Sequence, residues 1–297
     1  MTSKLIIETH GLTKQYDKFK AVLDLSLAVE SKRITGFLGR NGAGKSTTIK
    51  MLLGMIRPTA GTARVLGYDI TDPAQSLEIR RRVAYVGEDK GLYGYMTVGE
   101  LIRFTRSFYQ DWRPEIEERL LREYQLPLGR KVKQISKGMR TKLALLLALA
   151  RRPELIILDE PSEGLDPVST DELLQTLQEI CAAGTSIFFS SHQLSEVEQV
   201  ADRVLVIDRG QLVMNTLLSE LLNNYRRITV EFGVQGPLPA FSLPGVERVR
   251  VTGRHVSLLA SSNVDGIVNY AHSVNAAVQV APVNLCDVFL DVVKEAS

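Results

Sequence analysis

An α/β fold built on a parallel sheet, followed by a small α+β appendage, is what these 297 residues predict, on three observations. Short, fully apolar runs such as Leu155-Ile156-Ile157-Leu158 and Val204-Leu205-Val206-Ile207 alternate with helical stretches, as strands buried on both faces do. One run, Arg33–Leu38, leads into Gly39-Arg40-Asn41-Gly42-Ala43-Gly44-Lys45-Ser46-Thr47 and then into a helical stretch. That is the strand, glycine turn and helix of a phosphate-binding loop. From about residue 226 the pattern changes to strands and short helices punctuated by Gly236-Pro237-Leu238-Pro239 and Pro244-Gly245.

Taken in order, residues 5–9, 21–29 and 33–38 alternate or run apolar and read as strands. They form an antiparallel element ahead of the loop, which Arg64-Val65-Leu66 within Gly61–Tyr68 extends. Thr47–Leu53 reads as the helix after the loop, Pro73–Arg81 as a second helix and Val83–Val86 as a strand. Residues 97–109 and 114–126 read as helices, the first opened by Thr97 with Glu100 at capping-box spacing. Helices at 137–151, 168–182 and 194–200 then precede strands at 155–158, 186–189 and 204–207. Beyond them, 228–232, 246–251, 255–259 and 277–280 read as strands, and 264–274 and 285–293 as helices. The expected domains are 1–225, with a helical subdomain at about 90–152, and 226–297.

Charge and composition narrow the function. The 36 basic and 34 acidic residues leave a net charge of +2, which gives no support to a broad nucleic-acid-binding field. Two widely separated cysteines, Cys181 and Cys286, suit a reducing compartment and offer no Cys-His metal spacing. Met1–Glu8 does not read as a signal peptide, and the longest apolar runs are shorter than the roughly 20 residues a bilayer requires.

The chemistry-bearing residues fall in two places. In the glycine loop, the backbone of Asn41 through Thr47 wraps phosphates, Lys45 reaches the terminal ones, and the Ser46 hydroxyl coordinates Mg²⁺. No neighbour in sequence offers Lys45 an obvious salt-bridge partner, so burying it without a phosphate is expected to be expensive. The second place is the end of the apolar strand at Asp159-Glu160, the edge at which α/β sheets hold ligands. Asp159 suits Mg²⁺ and Glu160 suits a general base for an attacking water.

With these motifs in view, residues 4–225 resemble the ATP-binding subunit of an ABC transporter. Pro161-Ser162-Glu163-Gly164-Leu165-Asp166 matches the family's D-loop, and Ser190-Ser191-His192 ends a strand as its switch histidine does. Ile135-Ser136-Lys137-Gly138-Met139-Arg140 resembles the ABC signature, with Lys137 and Met139 as departures from its usual form. Glu88 stands where the family's Q-loop commonly has glutamine, and Arg40 where the loop often has proline. Asn284-Leu285-Cys286-Asp287-Val288-Phe289-Leu290 is similar to the closing segment of subunits paired with ABC-2 permeases, with Cys286 in place of the first acidic residue.

The resemblance implies a P-loop NTPase of the ABC type, with an antiparallel β subdomain and a helical subdomain. It implies ATP and Mg²⁺ as cofactors, Tyr16 against adenine, Glu88 near Mg²⁺ or its water, and His192 at the γ phosphate. Ser136 and Gly138 would face ATP held by a second ATP-binding subunit, so that a head-to-tail dimer completes each site. Other partners implied are an integral ABC-2-type permease and no nucleic acid, with the chain peripheral at the cytoplasmic face of the membrane and export the expected direction. Two competing readings are a soluble ABC ATPase acting on ribosomes or DNA, and an ATP-binding regulatory subunit with little hydrolysis.

Overall fold

The computed structural model describes residues 4–87, 91–233 and 238–294, and its contacts divide the chain into two compact units, Met1–Leu212 and Val213–Ser297. The first unit opens with β1 (Leu5–Tyr16), β2 (Phe19–Leu25) and β3 (Ala28–Glu30). The first strand runs well past the expected end at residue 9. Gly11, at φ 59°, and a register shift between His10 and Thr13 let it bend without stopping. The expected single strand over 21–29 is two. Between them the buried Thr9 hydroxyl donates to Leu25 O at 2.7 Å and accepts from Leu27 N at 2.8 Å, so the interruption leaves these backbone groups paired.

Next come β4 (Ile34–Leu38), α1 (Lys45–Leu52), β5 (Ala60–Val65) and β6 (Tyr68–Asp69). The antiparallel sheet has the order β2-β1-β5-β6, with β3 also on β1. Asp72 caps α2 (Pro73–Arg82), whose first residue is proline, and β7 (Val83–Val86) follows. The helical subdomain consists of α3 (Val98–Arg106), α4 (Pro114–Glu123), a short 3-10 turn at Val132–Gln134 and α5 (Lys137–Leu149). Its capping box is formed on both sides: Thr97 Oγ1 accepts from Glu100 N at 3.2 Å, and Glu100 Oε2 accepts from Thr97 N at 2.7 Å. The alternating part completes the unit with β8 (Leu155–Asp159), α6 (Pro167–Ala182), β9 (Ser186–Ser191), α7 (Leu194–Val200) and β10 (Arg203–Asp208).

Five of these strands lie parallel in the order β10-β4-β9-β8-β7, with β4 inside the sheet. Residues of β4, β8 and β9 are buried throughout, as the continuous apolar runs require. Ile7, Val29, Phe37, Ile49, Ile157 and Phe188 belong to one apolar core that joins both sheets and α1. The register sets Leu38 beside Ser191, and Ser190 beside Asp159. The carboxyl ends of β4, β9 and β8 therefore form one row.

The second unit contains two elements absent from the sequence expectation, α8 (Leu218–Asn224) and most of β11 (Gln211–Leu217). It continues with β12 (Arg226–Glu231), β13 (Val246–Thr252), β14 (His255–Ala260), α9 (Val264–Ser273), β15 (Ala277–Pro282) and α10 (Leu285–Lys294). The antiparallel order is β13-β14-β12-β15, and Ile228, Val230, Leu258, Ile267 and Ala271 form its core. Asp291 is buried between Arg227 (2.7 Å) and Arg250 (3.0 Å), so its charge is compensated inside the unit.

Replacing Thr97 by alanine removes one half of the capping box. We expect a loss of about 1 kcal/mol in urea unfolding at constant slope; an unchanged midpoint would show that the cap contributes nothing.

Candidate nucleotide-binding site

The loop between β4 and α1 owes its shape to close packing on its inner side. At Gly44 the backbone has φ 109°, and a Cβ there would lie 2.4 Å from Ala21 O. Only glycine fits that conformation and that distance. The turn starts α1 at Lys45, so the free amides of the first helical turn point toward the loop, where an anion is favoured. Beside it opens a cleft of about 490 Å³.

Of the residues expected from sequence, Asn41, Gly42, Gly44, Lys45, Ser46, Thr47, Glu160 and His192 line this cleft. Ala43 is buried in the loop just behind it. Asp159 lies one residue back from Glu160 and is buried; its Oδ1 accepts from Ser190 Oγ at 2.7 Å. Ser190 also receives the Glu160 amide, on its hydroxyl at 3.1 Å and on its carbonyl at 3.2 Å. One buried serine thus fixes both carboxylate residues at the end of β8. Glu88 lies outside the described residues.

Tyr16 is not in the cleft wall. It is 46% exposed, with Lys14 Nζ 5.0 Å from its ring centroid, while Phe19, its partner across the β1–β2 hairpin, lines the cleft. Ser136 and Gly138 do not line it either. Ser136 is exposed and caps α5, its hydroxyl accepting from Met139 N at 3.1 Å, so the start of that helix faces solvent in this chain. Sequence reasoning missed Phe19, Glu163 and the structural part of Ser190. A hairpin aromatic and a strand-end serine carry no signal of their own until the register is known.

The electrostatics centre on Glu160, which is 7% exposed and held at φ 49°. Its Oε1 lies 3.1 Å from Lys45 Nζ. Its Oε2 is 2.7 Å from His192 Nδ1 and accepts the His192 amide at 3.2 Å. Lys45 also donates to Gly39 O at 2.8 Å. No neighbour in sequence pairs with Lys45; the end of β8 brings it a carboxylate from far along the chain. A buried lysine and a buried glutamate stabilise each other where either alone would be costly. The arrangement can hold phosphate oxygens on loop amides and Lys45, and can present a carboxylate oriented by a histidine to a water beside them.

Gly44→Ala should displace the loop from the Ala21 carbonyl. We expect nucleotide affinity to fall by at least about tenfold in a fluorescence titration, and an unaltered affinity would show that the close approach is dispensable.

The family model described as ABC transporter matches residues 22–163. The chain is 38% identical over 237 residues to the bacitracin transport ATP-binding protein BcrA of Enterococcus faecalis, covering 79% of this chain and 76% of that one. It is 37% identical over 223 residues to the daunorubicin/doxorubicin resistance ATP-binding protein DrrA of Streptomyces peucetius, covering 72% of this chain and 66% of DrrA, just under two thirds of its length. A solved ATP-binding subunit of an ABC transporter matches with a TM-score of 0.67 at 32% identity, covering 73% of this chain and 91% of that one. With the phosphate-binding loop, the Asp159-Glu160 strand end and His192 on one edge of the parallel sheet, the chain belongs to the family of ABC transporter ATP-binding subunits.

Proposed function

We propose that this chain hydrolyses ATP as one member of a head-to-tail pair of ATP-binding subunits, and that the pair drives an ABC-2-type permease in the direction of export. The observation that carries the hydrolytic reading is the position of Glu160, between Lys45 at 3.1 Å and His192 at 2.7 Å, on the cleft wall. Phosphate oxygens arriving on Lys45 compete with Glu160 Oε1 and release it. The freed carboxylate accepts a proton from water as the water attacks the γ phosphorus, and the leaving group is ADP. His192 keeps the other oxygen in place. Phe19, at the rim, offers an aromatic face to the base in the position first expected of Tyr16.

Ser46 and Asp159 supply the hydroxyl and carboxylate oxygens that suit Mg²⁺. When bound, it neutralises charge on the β and γ oxygens.

The dimer is supported by Ser136 and Gly138, which begin α5 away from this chain's own cleft. A helix start open to solvent suits phosphate on another molecule. The permease is supported by exposed rings in the helical subdomain. Tyr95, Tyr93, Phe104 and Phe108 form a chain with successive centroid distances of 5.9, 5.8 and 5.0 Å, and Tyr95 and Phe108 are 67% and 66% exposed. No described helix is long and apolar enough to cross a membrane. The names of BcrA and DrrA, for bacitracin transport and drug resistance, favour export. In this reading the chain works at the cytoplasmic face of the membrane.

Two measurements test the proposal. Glu160→Gln should bind ATP yet hydrolyse it about 10²- to 10⁴-fold more slowly in a phosphate-release assay; equal rates would remove Glu160 as the base. Gly138→Ala tests the pairing, because a Cβ there meets its nearest atom in this chain, Leu165 Cδ2, at an ordinary 3.7 Å. The variant should fold and bind ATP but lose hydrolysis and ATP-dependent dimerisation; retention of both would reject a role for the signature in trans.

A further inference from the structure

One buried acid beside the site has no part in the mechanism above. Glu196 stands in the first turn of α7 and is 4% exposed. Its Oε2 accepts two hydroxyl hydrogen bonds, from Ser162 at 2.7 Å and from Ser191 at 3.1 Å. Both serines are buried. Ser162 lies in the turn that leaves β8 just after Glu160, and Ser191 ends β9 immediately before His192. A single carboxylate oxygen therefore ties the segment carrying Glu160 to the segment carrying His192. Each tie is anchored in its own backbone: Ser162 O accepts from Leu165 N at 2.9 Å, and Ser191 Oγ accepts from Gln193 N at 2.9 Å.

Packing alone does not explain an acid here. Glu196 Oε1 is buried without a hydrogen-bond partner among the described residues, and an unpaired buried polar atom is costly in a way an apolar side chain avoids. Burial pushes the Glu196 carboxyl up from its ordinary value; the two serine hydroxyls oppose this, the charge of Glu160 adds to it, and His192 opposes it. The site retains a strained acid at the junction of its two reactive turns.

We infer that Glu196 is a positioning residue for ATP hydrolysis, locking the turn after β8 to the turn after β9 through Ser162 and Ser191 so that Glu160 and His192 stay paired. The inference rests on the hydrolytic reading of the site. Without the shared acceptor, Ser162 loses the partner of its buried hydroxyl, Ser191 keeps only its local contacts with Gln193, and the turns are free to separate. The phosphate-binding loop follows a different strand, β4, and among the described residues the hydrogen bonds of the Glu196 carboxylate come from Ser162 and Ser191, so nucleotide affinity is expected to survive while turnover falls.

The test uses the full chain, with steady-state ATPase kinetics, an ATP-binding titration and urea unfolding on each variant. Glu196→Ala should lower kcat about tenfold, the loss expected when a buried hydroxyl is stranded and the link between the turns is cut, with KM and ATP affinity unchanged. Glu196→Gln keeps an oxygen able to accept both hydroxyls and should recover most of the rate. Ser162→Ala and Ser191→Ala, which leave Glu196 in place, should each lower kcat several-fold at constant affinity, and they carry the test if Glu196→Ala does not fold. Adding Ser162→Ala to Glu196→Ala should cost little more, since the same link is already missing. Wild-type kcat in Glu196→Ala and in both serine variants would overturn the inference, as would affinity falling in parallel with kcat or a glutamine variant as slow as the alanine one. A wild-type chain with no ATPase activity, or a Glu160→Gln chain as active as wild type, overturns instead the hydrolytic reading, and this inference with it.

Discussion

The parallel register of β4, β9 and β8 is the constraint on which the rest of the structure depends. Leu38 sits beside Ser191 and Ser190 beside Asp159, so three connections leave the sheet at one level. The first becomes the phosphate-binding loop, the second carries His192 and the third carries Glu160. Because β4, β8 and β9 are buried on both faces, a slip of one residue would exchange the side chains packed on the two faces and misfit both, so it is disfavoured throughout the sheet. Site geometry is thereby set by core packing far larger than the site.

On that row the charges compensate one another. Lys45 and Glu160 are both nearly buried, and neither is tolerable alone. Glu160 is shared between a lysine and a histidine, and its two oxygens have different partners. In the proposed mechanism the oxygen that pairs with Lys45 is the one released for chemistry, which links ligand binding to activation of the base through competition for a single ammonium group.

Packing around the row follows the same economy of short connections. Ser190 serves Asp159 and Glu160 together, and Glu196 serves Ser162 and Ser191. In each case one buried group holds two residues. The second unit solves its own burial problem separately, with Asp291 neutralised between Arg227 and Arg250. Similarity to BcrA and to a solved ATP-binding subunit spans most of this chain, and DrrA is matched over somewhat less of its own length.

Much of this was legible in the residues alone, and for a physical reason. Apolar runs that alternate with helical stretches, the spacing of Gly39 through Thr47, Thr97 with Glu100, and the abrupt change from Leu158 to Asp159-Glu160 are local patterns, and local backbone preferences write them directly into the chain. Those patterns determined the fold class, the order of its main elements and most of the side chains that line the cleft. Gly11 and Thr9 show where local reading stops, since whether β1 bends or ends depends on partners across the sheet. Elements that carry no motif, such as α8, left no comparable trace. Only the tertiary structure decided that Lys45 pairs with Glu160, that Phe19 and not Tyr16 borders the cleft, and that Glu196 joins two turns. Those contacts link residues far apart in the chain, and their partners are chosen by strand register, which no short stretch of sequence contains.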